Sequence, residues 1–80
     1  MKVLFYGRLA EAIGPELEVE GAADCSVAEL LDRLILEHPE AAQSLRSKRI
    51  LACVGDALVR DTYVLKSSDR VEFLPPVSGG

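Results

Sequence analysis

Residues 2–8 alternate, with Val3 and Phe5 on one side of an extended chain and Leu4 and Tyr6 on the other. Both faces are apolar, which predicts a strand covered on two sides or carrying a partner on one of them. Residues 9–13 have room for one helical turn, closed by Gly14 as a left-handed cap with Pro15 behind it. Residues 16–20 then read Glu-Leu-Glu-Val-Glu. That is a half-exposed strand, short and charged enough to lie at a sheet edge, and its spacing suits hairpin-like pairing with the first strand.

After a turn over residues 21–25, Ser26 opens the main helix. Ser26 and Glu29 form a capping box, in which each side chain satisfies a backbone amide that the first helical turn leaves free. Val27, Leu30, Leu31, Leu34 and Ile35 recur at helical spacing and make one apolar stripe, with Glu29, Asp32, Arg33 and Glu37 mostly away from it. Such a helix packs across a sheet. His38 ends it before Pro39, and as the lone histidine it reads as a surface cap at the negative end of the helix dipole. Residues 39–47 hold a second short helix, with Pro39 in its first turn and Ala42 and Leu45 facing inward. Ser47, Lys48 and Arg49 form a polar connection.

Residues 50–54 are a strongly apolar strand, Gly55-Asp56 a two-residue hairpin turn, and residues 57–59 the return strand. Leu65 plugs a core gap from a loop, and Ser67, Ser68 and Asp69 turn the chain into a last strand at 70–74. The pattern predicts an α+β domain, a mixed sheet of about five strands packed on one main helix. In the last strand Val71 and Phe73 alternate with Glu72 and Leu74. With Val3, Phe5, Val71 and Phe73 against the helix, Leu4, Tyr6 and Leu74 share the opposite face, and Leu58 on the hairpin return joins them. No second long helix remains to cover that face. An apolar patch left bare on so small a protein marks a partner-binding surface.

Composition narrows the function. Eighty residues, nearly half of them apolar, make one globular domain. No apolar run approaches the ~20 residues of a membrane helix, and the opening strand lacks a signal-peptide cleavage region, so the chain reads as cytoplasmic. A net charge of −4, with basic residues scattered apart from Arg46, Lys48 and Arg49, argues against a nucleic-acid binder, which needs a concentrated basic footprint. Cys25 and Cys53 lie far apart, in no metal-ligand or redox spacing, and read as small buried hydrophobes. There is no phosphate-binding glycine loop, no metal-ligand cluster and no nucleophile placed beside a histidine. The sequence lacks the parts of an enzyme that works alone.

What it has is an ending. Residues 75–80 read Pro75, Pro76, Val77, Ser78, Gly79 and Gly80, and divide the chain into a domain over 1–74 and a tail over 75–80. Two prolines remove two donors and hold φ near one value, so the chain is expected to leave the sheet stiff and extended. At ~3.3 Å per residue the tail reaches about 20 Å. A carboxylate on a narrow stalk suits entry into another protein's active site, and glycine at both last positions leaves no Cβ to obstruct an attacking group.

A strand running into PPVSGG at the end of an 80-residue chain closely resembles the small, sulfur-carrying subunits of molybdopterin synthase. These are ubiquitin-like β-grasp proteins related to the thiamine-pathway sulfur carrier. The resemblance spans the opening MKVLFYGRLAEAIG, the central helix and the closing SSDRVEFLPPVSGG, of which the ending is the specific part. The family often has Asn where this chain has Gly55, and Gly-Asp where it has Ser68-Asp69; both are turn positions.

The resemblance implies a pathway. An adenylating enzyme uses ATP to activate Gly80, and a sulfurtransferase relay converts it to a thiocarboxylate, a C-terminal 1-thioglycine. The tail then enters the large subunit of molybdopterin synthase, in a heterotetramer, and sulfur passes to cyclic pyranopterin monophosphate for the molybdenum cofactor. Leu4, Tyr6, Leu58 and Leu74 would be the docking residues and Gly80 the reacting one. On this reading the chain binds no cofactor or metal of its own, and is a sulfur-donating subunit without an active site. Two alternatives share the fold: a sulfur carrier for another, thiamine-type pathway, and a ubiquitin-like modifier joined through Gly80 to lysines.

Overall fold

The computed structural model describes residues 1–47 and 50–75. Lys48 and Arg49 of the polar connection, and Pro76, Val77, Ser78, Gly79 and Gly80 of the tail, lie outside the described residues. The elements run β1 (Lys2–Phe5), α1 (Arg8–Ile13), β2 (Glu16–Glu18), α2 (Val27–Glu37), a 3₁₀ turn (Pro39–Ala41), α3 (Ala42–Leu45), β3 (Leu51–Val54), β4 (Ala57–Val59) and β5 (Arg70–Leu74). The sheet order is β2-β1-β5-β3-β4. Its central pair, β1 and β5, is parallel, and the other neighbours are antiparallel. One main helix crosses this mixed sheet: the architecture is the β-grasp.

Each element follows from its residues. Short, charged β2 lies at an edge, where Lys2 Nζ stands 3.7 Å from Glu16 Oε2 and the N-terminal amine 3.0 Å from Glu18 Oε2. The capping box of α2 is complete: Glu29 N–H donates to Ser26 Oγ at 3.1 Å, and Ser26 N–H to Glu29 Oε1 at 2.9 Å. The loop before β5 supplies the remaining acceptors, since Val27 N–H donates to Tyr63 O and Ala28 N–H to Asp61 O. The N-terminus of α2 is therefore locked to a distant loop, a tertiary addition to local capping. In the hairpin Val54 pairs with Ala57 across Gly55 and Asp56, with φ of 56° and 68°. Positive φ at both central residues is the geometry that matches a two-residue loop to strand twist.

The core lies between α2, α3 and one face of the sheet. Val3, Phe5, Val71 and Phe73 of the central strands meet Val27, Leu30, Leu34 and Leu45, and Leu65 closes the core from its loop with no exposure. The Phe5 and Phe73 rings stack at 6.0 Å between centroids, 23° from parallel.

Three local expectations need correction. Gly14 follows α1 with φ 116° and ψ 161°, so the chain leaves the helix extended instead of through a left-handed helical cap. Its amide still donates to Ala10 O, and Phe5 N–H donates to Pro15 O, which draws the following segment back onto β1. Leu45 of the second short helix faces inward as expected, but its inward companion is Ala41, fully buried, and not Ala42, which is half-buried; the 3₁₀ turn over Pro39–Ala41 rotates the register. The cysteines are half-buried, neither of them in the core.

Candidate functional site

Strand alternation leaves the second face of the sheet without a covering element among the described residues. Register fixes what it shows. Leu4 pairs with Glu72, Glu72 with Cys53, and Cys53 with Leu58, so these four form one row across β1, β5, β3 and β4. A second row lies nearer the tail, where Leu74 pairs with Leu51. Tyr6 N–H donates to Phe73 O at 3.3 Å, which carries the parallel ladder one residue past β1 and brings Tyr6 into this row. The four residues expected to share a face, Leu4, Tyr6, Leu58 and Leu74, do share it. Tyr6 is 42% exposed and Leu58 66%, while Leu4 and Leu74 are half-buried by their neighbours.

Pattern reading left out Leu51, 39% exposed, and Cys53 on the same face. Every residue from Leu51 to Val54 is apolar, so alternation alone assigns neither face. The hairpin held the missing signal: a two-residue turn at Gly55-Asp56 forces Cys53 opposite Leu58, hence onto the face of Leu58. Glu72 is the polar member of the patch. Its Oε2 accepts a hydrogen bond from the Tyr6 hydroxyl at 2.5 Å. That bond, with burial and the nearby carboxylate charge adding to it, raises the Tyr6 pKa above its ordinary value.

The tail starts beside this face. Pro75, the one tail residue among those described, follows directly from β5 and is half-buried. Its ring lies against Gly7, the residue that precedes α1 with φ 60° and ψ −133°. A Cβ at position 7 would fall 2.8 Å from Pro75 Cγ. Gly7 was not singled out from sequence; a glycine directly after a strand, with no turn signal around it, was the available clue.

The rest of the described surface offers little chemistry. Among the described residues no group of three or more His, Cys, Asp and Glu side chains is placed to hold a metal ion. No helix among them is long and apolar enough to cross a membrane. A cleft of roughly 600 Å³ between α2, α3 and β3–β4 has an apolar floor that includes Leu31, Ile35 and Val59, and both signs of charge, from Arg46, Arg60, Asp32 and Asp61, at its rim.

A ubiquitin-like β-grasp domain with a bare apolar sheet face at the root of a glycine-ended tail is the class that fold and face define. The chain belongs to the ThiS family, whose model matches residues 3–80. It is 35% identical over 81 aligned residues to the molybdopterin synthase sulfur carrier subunit of Escherichia coli, a match covering 100% of this chain and 99% of that protein. To the protein of the same name from Arabidopsis thaliana it is 30% identical, covering 100% of this chain and 82% of the other. Among solved structures, small archaeal modifier protein 1 from Methanosarcina acetivorans superposes with a TM-score of 0.77 at 29% identity, over 99% of this chain and 94% of that one. Subunit 1 or 2 in the complex of the Helicobacter pylori molybdopterin-converting factor matches with a TM-score of 0.65 at 21% identity, over 99% and 96%, and shows the fold.

Proposed function

We propose that this chain is a sulfur carrier, the small subunit of a molybdopterin synthase, and that the C-terminal carboxylate of Gly80 is its reacting group. The observation that carries the reading is end-to-end similarity to sulfur carrier subunits, with the family match running through residue 80. A carboxylate is a poor electrophile until one oxygen becomes a leaving group. An ATP-using partner provides this by joining Gly80 to AMP with loss of pyrophosphate. The terminal sulfur of a sulfurtransferase persulfide then displaces AMP to give an acyl disulfide. A thiol reduces its S–S bond, itself ending in a disulfide, to release the thiocarboxylate, a compact sulfur nucleophile on a protein handle. Once that sulfur is bonded to cyclic pyranopterin monophosphate, water cleaves the acyl carbon–sulfur bond, leaving the sulfur on the pterin and returning the carboxylate for another cycle. Acid–base and substrate-binding groups belong to the large subunit; this chain presents and positions the sulfur.

The open face is the proposed docking surface for the large subunit. Leu4, Tyr6, Leu58 and Leu74, joined by Leu51 and Cys53, lie on a face that includes the last residue of β5 before the tail, so docking there brings the start of the tail to the partner. Burial of apolar side chains such as these is what stable association requires.

A second reading has its own support, since the Methanosarcina acetivorans neighbour at 29% identity is named a modifier. The same activated Gly80 would then be captured by lysine amines. Intact-mass analysis of the chain purified from its own cells separates the two. Replacement of one terminal oxygen by sulfur is the expected result; isopeptide bonds from Gly80 to lysines, with no thiocarboxylate, would replace the sulfur-carrier reading with the modifier one.

A further inference from the structure

We infer that Gly7 is a positioning residue for the reacting end: its bare Cα is the berth of the Pro75 ring, and that berth sets the heading at which the chain continues past β5. The inference rests on the proposed reaction at Gly80 and assigns a role to a residue on the opposite end of the sequence.

Three observations converge on it. The parallel β1–β5 ladder, continued by Tyr6 N–H to Phe73 O, brings Gly7 to the point where the tail begins. Gly7 holds φ 60° and ψ −133°, a conformation that L side chains rarely adopt. Its missing Cβ would meet Pro75 Cγ at 2.8 Å and Cδ at 3.6 Å. The other described glycines of positive φ differ: a Cβ on Gly14 or Gly55 would meet nothing within 4 Å, and one on Gly21 only Arg33 Nη1 at 3.8 Å. Close approach to another segment is therefore specific to Gly7. Pro75 is also a residue whose placement passes directly into chain direction. Its own φ is fixed by the ring, and Pro76 after it restricts its ψ to the extended range. Seating the ring thus sets the heading.

The test compares Gly7→Ala, Pro75→Ala and the double variant with the parent, all as full chains. One measurement is ATP–pyrophosphate exchange by the adenylating enzyme from the same cells. The expected result for Gly7→Ala is a fall in kcat of about tenfold or more with KM within about twofold, because docking is retained and near-attack geometry is lost. Pro75→Ala loses several-fold in kcat without loss of thermal stability. In the double variant the clash is relieved, because the Cβ of residue 75 alone would lie 3.9 Å from a Cβ at position 7, and only the strain of Ala at positive φ remains, so its kcat is no lower than that of Gly7→Ala. A kcat within about twofold of the parent in folded Gly7→Ala and in Pro75→Ala overturns the inference. The second measurement needs no partner. A nitroxide on Ser78→Cys, in a Cys25→Ala/Cys53→Ala background, broadens the amides the tail passes, and a different set of broadened amides in the variants is expected. An unchanged set overturns the inference. Failure of the parent to support exchange, with the amide set still shifted in the variants, counts against the proposed reaction and not against the role of Gly7. Should Gly7→Ala not fold, Pro75→Ala and the double variant carry both measurements.

Discussion

The Tyr6 hydroxyl donates to Glu72 Oε2 across 2.5 Å, tying the end of β1 to the middle of β5 on the open face of the sheet. The bond holds Tyr6 in its neutral form, and with burial and the Glu72 charge it raises the pKa above the ordinary 10.0. Tyr63 is raised too, by burial first and then by Asp69, whose Oδ2 accepts its hydroxyl at 3.2 Å. These are the two tyrosines of the chain. The folded protein therefore keeps two protons that the unfolded chain has begun to release near pH 10. Their stabilising contribution is fully present below pH 10 and is lost as pH rises through the folded-state values. Phenolate absorbance is expected to rise later in the folded protein than in urea, and Tyr6→Phe to remove one of the two late steps. A folded-state titration at or below the unfolded one would contradict the hydrogen-bonded geometry.

The stacked pair of Phe5 and Phe73 joins the two central strands within the core. Each ring is almost fully buried, so Phe5→Ala or Phe73→Ala is expected to cost about 3–5 kcal/mol from lost transfer energy and the cavity left behind. The double variant is expected to fall short of the sum by about 0.5–1.5 kcal/mol, the part that belongs to ring–ring contact. Urea denaturation of the four proteins checks both numbers.

Most of the frame was legible because its signals are local or strictly periodic. Ser26 and Glu29 announced the start of α2, and its stripe named Val27, Leu30 and Leu34 as core. Alternation sorted Val3 and Phe5 from Leu4 and Tyr6, and the split between core face and open face followed. Leu65 was legible as an apolar residue stranded in a loop. What escaped notice depends on partners distant in sequence. The face of Leu51 and Cys53 is set by pairing with β4 and β5, not by their own uniformly apolar run. The contact between Gly7 and Pro75 joins residues at opposite ends of the chain and has no sequence period. The amides of Val27 and Ala28 bind carbonyls of residues 63 and 61, which capping rules for a helix do not foresee.

If the open face is where the large subunit docks, a charge introduced on it is expected to separate association from folding. Leu58 is exposed and Leu74 half-buried on that face, so Leu58→Glu and Leu74→Glu leave a cooperative fold. In a closed interface each would desolvate an unpaired carboxylate, which costs on the order of 2–4 kcal/mol and weakens association by about 30-fold or more. Leu36→Glu, on the outer side of α2 and 83% exposed, serves as the control with unchanged affinity. Calorimetric titration with the large subunit reads all three. Unchanged affinity in the first two would remove the docking proposal, and unfolding of Leu74→Glu would make Leu74 a core residue.

If Gly80 is the reacting residue, its carboxylate has to be in the right place as well as of the right kind, and that place is set by chain length. Deleting Gly80 leaves Gly79 with the same carboxylate drawn back by about 3.3 Å. Acyl transfer requires reacting atoms held close to contact distance, so a carboxylate displaced by that much is expected to be almost inert to adenylation. Adding one residue after Gly80 is expected to be equally damaging, since the peptide then ends past the point where the anhydride must form. Neither change alters a residue of the core, so the thermal midpoint is expected to stay within experimental scatter. Affinity for the large subunit is expected to fall only modestly if the sheet face carries most of the docking. The two variants would thus be folded, able to dock and chemically silent, a combination that damage to the fold or to the face does not produce. Mass spectrometry for the thiocarboxylate, run beside the docking titration, reads both properties in one preparation. Normal thiocarboxylate formation in either variant would show that the reaction does not depend on where Gly80 ends, and would end the case for it as the sulfur-bearing residue.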